Sequence, residues 1–435
     1  MKIKKGDKRL IRAWAFYDWA NSAYALVISS AIFPIFFEKV TNRNGNDQLH
    51  FLGMSFKNTE LYSYGLALSF LVVAFLSPIL SSLADYSGNK KKFMKFYTYL
   101  GAFSTIMLFF FKGPDTVWIG LLFSILASIG FWGSLVFYNA FLPEIAEEAQ
   151  QDKVSAMGFA YGYIGSVLLM LFNLSMILHP EWYGIKDGTL PARISFLSVG
   201  IWWLIFSQYT FHVLPDNVYE VKPPKRKGYL FEGFKELKKV FHEVQNYTRL
   251  KKFLMAFFLY SFAAQTIFYV AGLFGSKELG LPSGKLIMTI LVIQIVGIFG
   301  ALGFSKISKF IGNIKALQVI LLIWIGITIG ALFLDKNNPK VATHFYILAG
   351  FVGLVMGSIQ ALSRSTYSKM IPETTQKHAT YFSFYDFSEK IAIVLGTFSF
   401  GMLEALTGSM KSAILLMSIV FLLSMLILQT IPDKK

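Results

Sequence analysis

Cysteine is absent from the 435-residue chain, and charged residues are scarce. The lack of cysteine excludes disulfide frameworks, thiolate metal sites and cysteine nucleophiles. The six histidines show no H-x-x-x-H or H-E-x-x-H spacing, so the sequence predicts no metal site and no cofactor. Only 15% of the residues are Asp, Glu, Lys or Arg, which is too few for a soluble domain whose composition is about a quarter charged.

Apolar residues take the place of the missing charges. They make up 54% of the chain, and the mean hydropathy is +0.52. A hydrocarbon core about 30 Å thick needs about 20 helical residues per crossing, so twelve crossings with short loops would use most of this length. The composition therefore predicts an all-α integral membrane protein whose natural solvent is the lipid bilayer.

Apolar runs of spanning length occur twelve times, each bounded by charge, Pro or Gly. Six lie in the first half, near 14–38, 61–83, 93–111, 116–142, 154–178 and 194–214. Six lie in the second half, near 251–275, 284–304, 316–334, 341–362, 379–403 and 411–431. Between them, residues 215–250 are polar and basic, with Pro223 and Pro224 near the start of this segment. The pattern predicts a six-helix bundle over 1–214, a cytoplasmic basic linker over 215–250 and a second six-helix bundle over 251–435.

Membrane topology explains the net charge of +16 better than a nucleic-acid-binding surface does, because the Lys and Arg residues lie between apolar runs. With a cytoplasmic N-terminus, about 29 of them fall on the cytoplasmic side and about 11 outside, as the positive-inside rule requires. We therefore expect both termini in the cytoplasm and no nucleic-acid partner.

One loop resembles the signature of the major facilitator superfamily. After the second span the chain reads SSLADYSGNKKK, in which Asp85, Gly88 and Lys90 match the family pattern. A weaker copy follows the eighth span, from Ser305 to Lys315, where Lys309 replaces the acid. The resemblance implies that Asp85 holds a gate through ion pairs between the two bundles; a basic loop that only sets topology is the alternative.

A more specific resemblance covers nearly the whole chain. The first span reads WAFYDWANSAY from Trp14 to Tyr24, the fourth ends FYNAFLPE, and the tenth carries QALSRS from Gln360 to Ser365. These segments resemble the UMF1 branch of the superfamily, which includes the autophagy-related vacuolar amino-acid effluxers of yeast. The chain departs from the branch in the seventh span, which lacks an acid before Gln265, and at Glu389, where Gly is usual.

The resemblance implies a fold of two pseudo-symmetric six-helix bundles that rock around a central cavity. It also implies secondary transport of a small solute, an amino acid or similar metabolite, by export and with a coupling proton. We expect a monomer in the cell membrane. A lipid or drug exporter, and a receptor or scaffold that transports nothing, remain alternatives.

Charges within the spans are candidates for coupling, because an ionisable group at the centre of a helix costs about 2.5–3.5 kcal/mol on insertion scales. The eleventh span carries Asp386, Glu389 and Lys390, with Asp386 and Lys390 on one face. Lys390 either alternates between a carboxylate partner and a substrate carboxylate or proton, or forms a static neutral pair.

Asp18 lies near the predicted cytoplasmic mouth of the first span. It either carries the coupling proton or pairs as a gate with a base such as Arg364 in the tenth span. Among uncharged groups, Asn21, Tyr24 and Gln265 are candidates to line the substrate path, because the resemblance implies that the first and seventh helices border the cavity. Interhelical packing is the alternative for each.

No Walker-type phosphate loop and no Gly-x-Ser-x-Gly elbow occurs in the chain. We therefore expect a gradient to drive transport and expect no enzymatic activity.

Overall fold

The computed structural model describes residues 4–42, 47–216 and 229–432. Within these ranges, twelve helical spans are long and apolar enough to cross a membrane, as the sequence predicts. In hydrocarbon every backbone N–H and C=O must be bonded inside the protein, and long helices achieve this within a single segment. Large apolar side chains such as Phe310 and Phe333 point away from the core, as lipid contact allows.

The first six spans contain helices α1 to α8. Their bounds are α1 Lys8–Ala23, α2 Phe33–Thr41, α3 Asn58–Ser87, α4 Lys90–Met107, α5 Val117–Ala140, α6 Leu142–Ile145, α7 Gln151–Leu178 and α8 Leu190–Val213. A π-helical segment, Tyr24–Ile32, joins α1 to α2 within the first span, and α5 and α6 together form the fourth. Short 3-10 turns lie at Leu108–Phe110, Pro114–Thr116, Glu148–Gln150 and Pro180–Tyr183.

The remaining helices are α9 to α15. Their bounds are α9 Tyr229–Asn246, α10 Thr248–Leu273, α11 Ser283–Ile311, α12 Asn313–Leu332, α13 Val341–Met370, α14 His378–Thr407 and α15 Met410–Gln429. A second π-helical segment, Phe274–Glu278, extends α10, and spans seven to twelve are α10 to α15 without exception. The described residues therefore form six spans in each half, in agreement with the fold that the resemblance implies.

Two membrane faces are distinguished below. The terminal face is the one at which α1 begins and α15 ends. The hairpin face is the opposite one, where strands β1 (Gln48–Phe51) and β2 (Met54–Lys57) form an antiparallel pair with Gln48 opposite Lys57. The sequence analysis did not predict this hairpin.

The halves meet along two helix pairs, α3 with α14 and α7 with α11. These are spans two and eleven, and spans five and eight. Spans two and five of the first half correspond to spans eight and eleven of the second. Each pair is therefore the counterpart of the other, as a pseudo-two-fold axis between the halves requires. Further contacts of α7 with α13 and of α5 with α14 complete the seam.

The predicted linker is partly helical. Helix α9 packs on α3, α10 and α14, with Val240 and Val244 buried. Lys377, just before α14, pairs with Glu236, and the Tyr381 hydroxyl of α14 donates to Glu243. Residues 217–228, which include Pro223, Pro224, Lys222, Lys225, Arg226 and Lys227 of the predicted linker, lie outside the described residues. The seventh span begins at Thr248, three residues before the predicted start.

Candidate functional site

A cavity of about 160 Å³ lies between the two halves near the middle of the spans. The first half contributes Asp18, Asn21 and Tyr24, and the second contributes Gln265 and Glu389. Much of the remaining wall is aromatic: Phe131, Trp132, Phe159, Tyr163, Phe268, Tyr269 and Tyr385. A cavity of about 150 Å³ holds one benzene-sized molecule, so this volume suits one small solute.

The π-helical segment of the first span forms part of the cavity wall. Tyr24, Ser29 and Ser30 of this segment line the cavity, and the Ser30 hydroxyl donates to the Ala25 carbonyl at 2.8 Å. A π-helical segment within a long helix is rare and is frequent at functional sites. The first span is therefore locally rewound where it borders the cavity.

On the terminal side of the cavity, Asp18 of α1 meets Arg364 of α13. Two guanidinium nitrogens of Arg364 lie 3.4 and 3.5 Å from Asp18 Oδ2, and the Tyr138 hydroxyl donates to the same oxygen at 2.8 Å. Both charged side chains are buried. The structure thus brings together two of the predicted gate candidates, one from each half.

Arg364 has further contacts with the first half. Its Nε donates to the Ser155 hydroxyl at 2.9 Å, and a terminal nitrogen donates to the Ser155 carbonyl at 2.8 Å. Asn139 Oδ1 accepts from the same guanidinium at 3.3 Å, and the guanidinium carbon lies 4.3 to 5.4 Å from the ring centres of three aromatic residues, Trp14, Tyr138 and Phe159. A planar guanidinium suits such combined stacking and hydrogen bonding, which a lysine cannot reproduce.

Gly158 of α7 leaves room for this pair. A Cβ atom there would lie 2.5 Å from Asp18 Oδ2 and 3.0 Å from both an Arg364 nitrogen and the Tyr138 hydroxyl. Gly162 and Gly165 admit Ser22 and Trp19 of α1 in the same way. The three glycines thus form the small-residue stripe that lets α1 and α7 approach closely.

A second charged cluster lies on α14. Lys390 Nζ lies 3.0 Å from Asp386 Oδ1 and 2.7 Å from Glu389 Oε2, and Gln265 Nε2 of α10 donates to Glu389 Oε1 at 3.0 Å. The three predicted charges of the eleventh span therefore form one connected group, and Gln265 joins it.

Lys390 is enclosed rather than presented to the cavity. Its side chain has no exposed surface, and its Nζ lies 3.6 Å from the centre of the Trp132 ring of α5. Within the described part of the chain, Glu389 and Gln265 line the cavity, whereas Asp386 and Lys390 do not. The ammonium group thus lies behind the carboxylate that faces the cavity.

Asn21 and Tyr24 lie on the wall of the same cavity, as the sequence analysis expects for substrate-path residues. Asn21 is 1% exposed and Tyr24 is 4% exposed. The Asn21 Oδ1 atom accepts a long bond of 3.4 Å from Ser22, and its Nδ2 atom has no hydrogen-bond partner among the described residues.

The signature loop contacts the opposite half differently from the expected ion pair. Asp85 accepts from the backbone N–H groups of Ala379 and Thr380 at 3.3 and 2.7 Å and from the Thr380 hydroxyl at 2.8 Å. It therefore caps the N-terminus of α14, where the helix dipole favours a negative charge. Gly88 ends α3 at a φ of +66°, a conformation that favours glycine.

Lys90 pairs inside its own half, with Glu144 of α6. Glu144 also contacts His378 Nδ1 of α14 at 3.2 Å, so the lysine reaches the other half through a shared carboxylate. Beside this group, Asp152 of α7 contacts Lys369 at 2.6 Å and Asn313 at 2.8 Å. The terminal face is therefore closed by several buried polar contacts.

The polar contacts between the halves all lie toward the terminal face in the described spans. The deepest is the 3.4 Å bond from the Tyr163 hydroxyl to Gln360 Oε1. The described residues form no side-chain hydrogen bond or ion pair between the halves nearer the hairpin face. Polar contacts between the described residues of the two halves therefore concentrate at the terminal face.

Sequence reasoning missed several of these residues. Trp132, Ser155 and Glu144 contact candidate residues only through tertiary structure, and His378 contacts Glu144 in the same way. A lone tryptophan or serine in an apolar run carries no local signal of such a role, whereas Glu144 could have been noted as an acid close to the end of a span.

Comparison with known proteins identifies relatives of the chain. The family model described as "Vacuole effluxer Atg22 like" matches residues 6–435. The MFS-type transporter YxiO of Bacillus subtilis, named as uncharacterized, is 32% identical over 97% of this chain and 94% of its own length. Autophagy-related protein 22 of Gibberella zeae is 22% identical over 94% of this chain and 77% of its own length.

Solved structures agree on the fold. The human organic anion transporter MFSD10 matches with a TM-score of 0.70 at 12% identity, over 98% of this chain and all of that one. The transporter FucP in its outward conformation also matches with a TM-score of 0.70 at 12% identity, over 99% of both chains. The chain is a multi-pass membrane protein that belongs to the Atg22-like family of major facilitator transporters.

Proposed function

We propose that this transporter moves an amino acid or similar small metabolite out of the cytoplasm by alternating access, with a proton as the coupling ion. The observation that carries the proposal is the cavity that both halves line, with a charged group from each half at its wall. Secondary transporters bind their solute near the bilayer midplane at the interface between repeats.

The closed terminal face gives the proposal a mechanical basis. Arg364, Asp85 and Asp152 form contacts across the seam in this state, and the seam must separate when the cavity opens to that face. Interfaces of this kind have two discrete arrangements rather than a continuous range, because packed side chains deform little. Residues 1–214 and 251–435 are proposed as the moving bundles, with 215–250 as their linker.

The proposed location is the cell membrane, with the terminal face in the cytoplasm and the monomer as the functional unit. The asymmetry of Lys and Arg along the sequence supports this orientation. In this orientation the structure is closed toward the cytoplasm. Export then requires the opposite state to load the solute.

The experiment has two stages. Purified protein is screened for thermal stabilisation by amino acids and related metabolites at two pH values, because a ligand that binds the folded state stabilises it. Flux of each stabilising solute is then measured in proteoliposomes with and without a proton gradient. We expect at least one solute whose flux the gradient accelerates.

Asp18→Asn tests the link between cavity and gate, with Asp187→Asn in an exposed loop as the matched control. We expect the first substitution to reduce flux at least tenfold and the second to leave it unchanged. Absence of flux for every stabilising solute would contradict the transport function and favour a receptor.

A further inference from the structure

The charged cluster on α14 contains two carboxylates but only one cation. Lys390 serves both Asp386 and Glu389, and among the described residues no other cation contacts either acid. The Asp18 and Arg364 pair across the cavity is balanced, one charge against one. With both acids ionised, the α14 cluster therefore has one negative charge in excess, in a place where an unpaired buried charge is costly.

Among the described residues, no cation of a neighbouring helix contacts this cluster, and Arg364 of α13, which lines the same cavity, is paired with Asp18. The titratable groups close to Glu389 are Tyr385 on its own helix and Tyr260 and Tyr269 on α10, and phenols are neutral at ordinary pH. On α5 the neighbour is the indole of Trp132. Asp85 of α3 and Glu243 of α9 contact α14 in its first turn, and both are acids.

The cluster faces the cavity through one of its two carboxylates, and the Asp386 Oδ2 atom behind it has no hydrogen-bond partner among the described residues. Glu389 lines the cavity, whereas Lys390 is fully enclosed behind it and Asp386 lies off the cavity wall within the described residues. Gln265 donates to Glu389 Oε1 and so fixes the carboxylate without neutralising it. A cation that enters the cavity therefore finds Glu389 as its counter-ion.

A second, independent group in the cavity wall is a hydrogen-bond donor without a partner. The Asn21 side chain is 1% exposed, lines the same cavity and has an Nδ2 atom with no partner among the described residues. A buried amide donor without a partner costs free energy, and an acceptor oxygen on a ligand would satisfy it. The cavity thus has a place for a cation and a donor for an oxygen.

We propose that Glu389 binds the ammonium group of the transported solute in exchange for a proton, while Asn21 donates to an oxygen of the same solute. The proposal rests on the transport function proposed above and names the chemistry of its site. When the ammonium arrives, the pair of carboxyl groups on α14 releases the one proton it holds, and the Glu389 carboxylate pairs with the ammonium. Either occupant cancels the excess charge.

This exchange explains coupling in electrostatic terms. A cavity that closes around the ionised, empty cluster must bury one uncompensated charge, whereas a cavity loaded with a proton or an ammonium does not. The unloaded, ionised carrier is therefore the state that does not reorient. One solute leaves for each proton that enters.

The test uses two matched sets of probes on the purified full-length protein. One set is L-phenylalanine, 2-phenylethylamine and 3-phenylpropanoate; the other is L-leucine, 3-methylbutylamine and 4-methylpentanoate. Within each set the members carry both groups, the ammonium alone or the carboxylate alone. Affinity is measured by thermal stabilisation, and proton release is measured with a pH indicator in weak buffer.

We expect the amino acids and amines of at least one set to release a proton from the wild type, and the carboxylates to release none. Glu389→Gln should bind the amines at least tenfold more weakly and release no proton, while Glu389→Asp keeps the release. Glu404→Gln, at the far end of the same helix, is the control and should behave as wild type. Asn21→Ala should weaken the amino acid about fivefold and leave the amine unchanged.

Three results overturn the proposal: carboxylates that bind as well as amines, amines that bind Glu389→Gln unchanged, or no stabilisation by any of the six probes. If the amines bind and release protons but no solute crosses proteoliposomes, the assignment of Glu389 stands and the transport function fails. A Glu389→Gln protein that does not fold leaves Glu389→Asp and Asn21→Ala to decide.

Discussion

At the scale of single residues, the gate depends on the absence of a side chain. Asp18, Arg364 and Tyr138 converge on a point where any Cβ on residue 158 would collide with them. The ion pair itself is buried, so its strength depends on its geometry more than on salt. The lack of a side chain at Gly158 therefore indicates the location of this ion pair as clearly as the charges themselves do.

We predict that Gly158→Ala loosens the closed terminal face. Overpacking of this kind costs about 1–3 kcal/mol, which corresponds to roughly a five- to 150-fold change in the population of the open state. Because the chain has no cysteine, Ala301→Cys provides a single thiol at a buried contact among Ala156, Ala301 and Ala361 of both halves. Labelling of this thiol by a membrane-impermeant reagent from the terminal side should become about ten times faster.

The control for this prediction is Gly350→Ala in α13, where a Cβ atom would meet no atom within 4 Å. It makes the same chemical change in a long span and should leave the labelling rate unchanged. Equal labelling rates in Gly158→Ala and wild type would contradict the proposed role of the ion pair in holding the face closed.

At the scale of elements, the seam is held by helix ends. Asp85 at the end of α3 caps the first turn of α14, so one helix terminus of each half takes part in this contact. This contact replaces the interbundle ion pair that the signature loop led us to expect. The dipole of α14 then supplies the positive partner of Asp85.

We predict that Asp85→Ala weakens closure through loss of this cap. Removal of an N-cap side chain costs about 0.5–2 kcal/mol, so labelling of the Ala301→Cys reporter should rise several-fold. Asp7→Ala is the matched control, because Asp7 caps α1 by accepting from Arg9 N at 2.7 Å within one half. If both variants raise labelling equally, the effect is one of general stability and not of the gate.

The sequence predicted some elements well and others poorly, for physical reasons. The twelve spans are confirmed because the bilayer demands long apolar helices whatever their partners. The π-helical segment at Tyr24 and the hairpin at Gln48 were not predicted, since both depend on surrounding contacts. Helix α9 was missed among the polar residues, although Leu237, Val240 and Val244 carry a helical period.

The candidate site, too, could be predicted from the sequence only in part. Charges in spans were found because lipid makes them rare, so Asp18, Arg364, Glu389 and Lys390 were identified from the sequence. Their arrangement was not, because the enclosure of Lys390 by Trp132 joins residues more than 250 positions apart. Their roles in coupling and gating stay predictions.

At the scale of the whole molecule, two halves line a shared cavity, and the polar contacts between their described residues lie toward one face. The helix pairs α3 with α14 and α7 with α11 act as the seam, and the polar contacts of the described residues concentrate at its terminal end. Rocking about this seam would open the terminal face while the hairpin face closes. A change of distance in opposite directions at the two faces is the signature of this motion.

The most direct measurement is the distance between spin labels on paired cysteines, which the cysteine-free chain allows without further substitutions. One pair, Lys153→Cys with Lys309→Cys, reports on the terminal face, and the other, Thr59→Cys with Lys285→Cys, reports on the hairpin face; all four positions are exposed. When a transported solute and a proton gradient are supplied, we predict that the terminal distance lengthens as the hairpin distance shortens. Distances that stay fixed, or that change in the same direction while flux continues, would contradict alternating access.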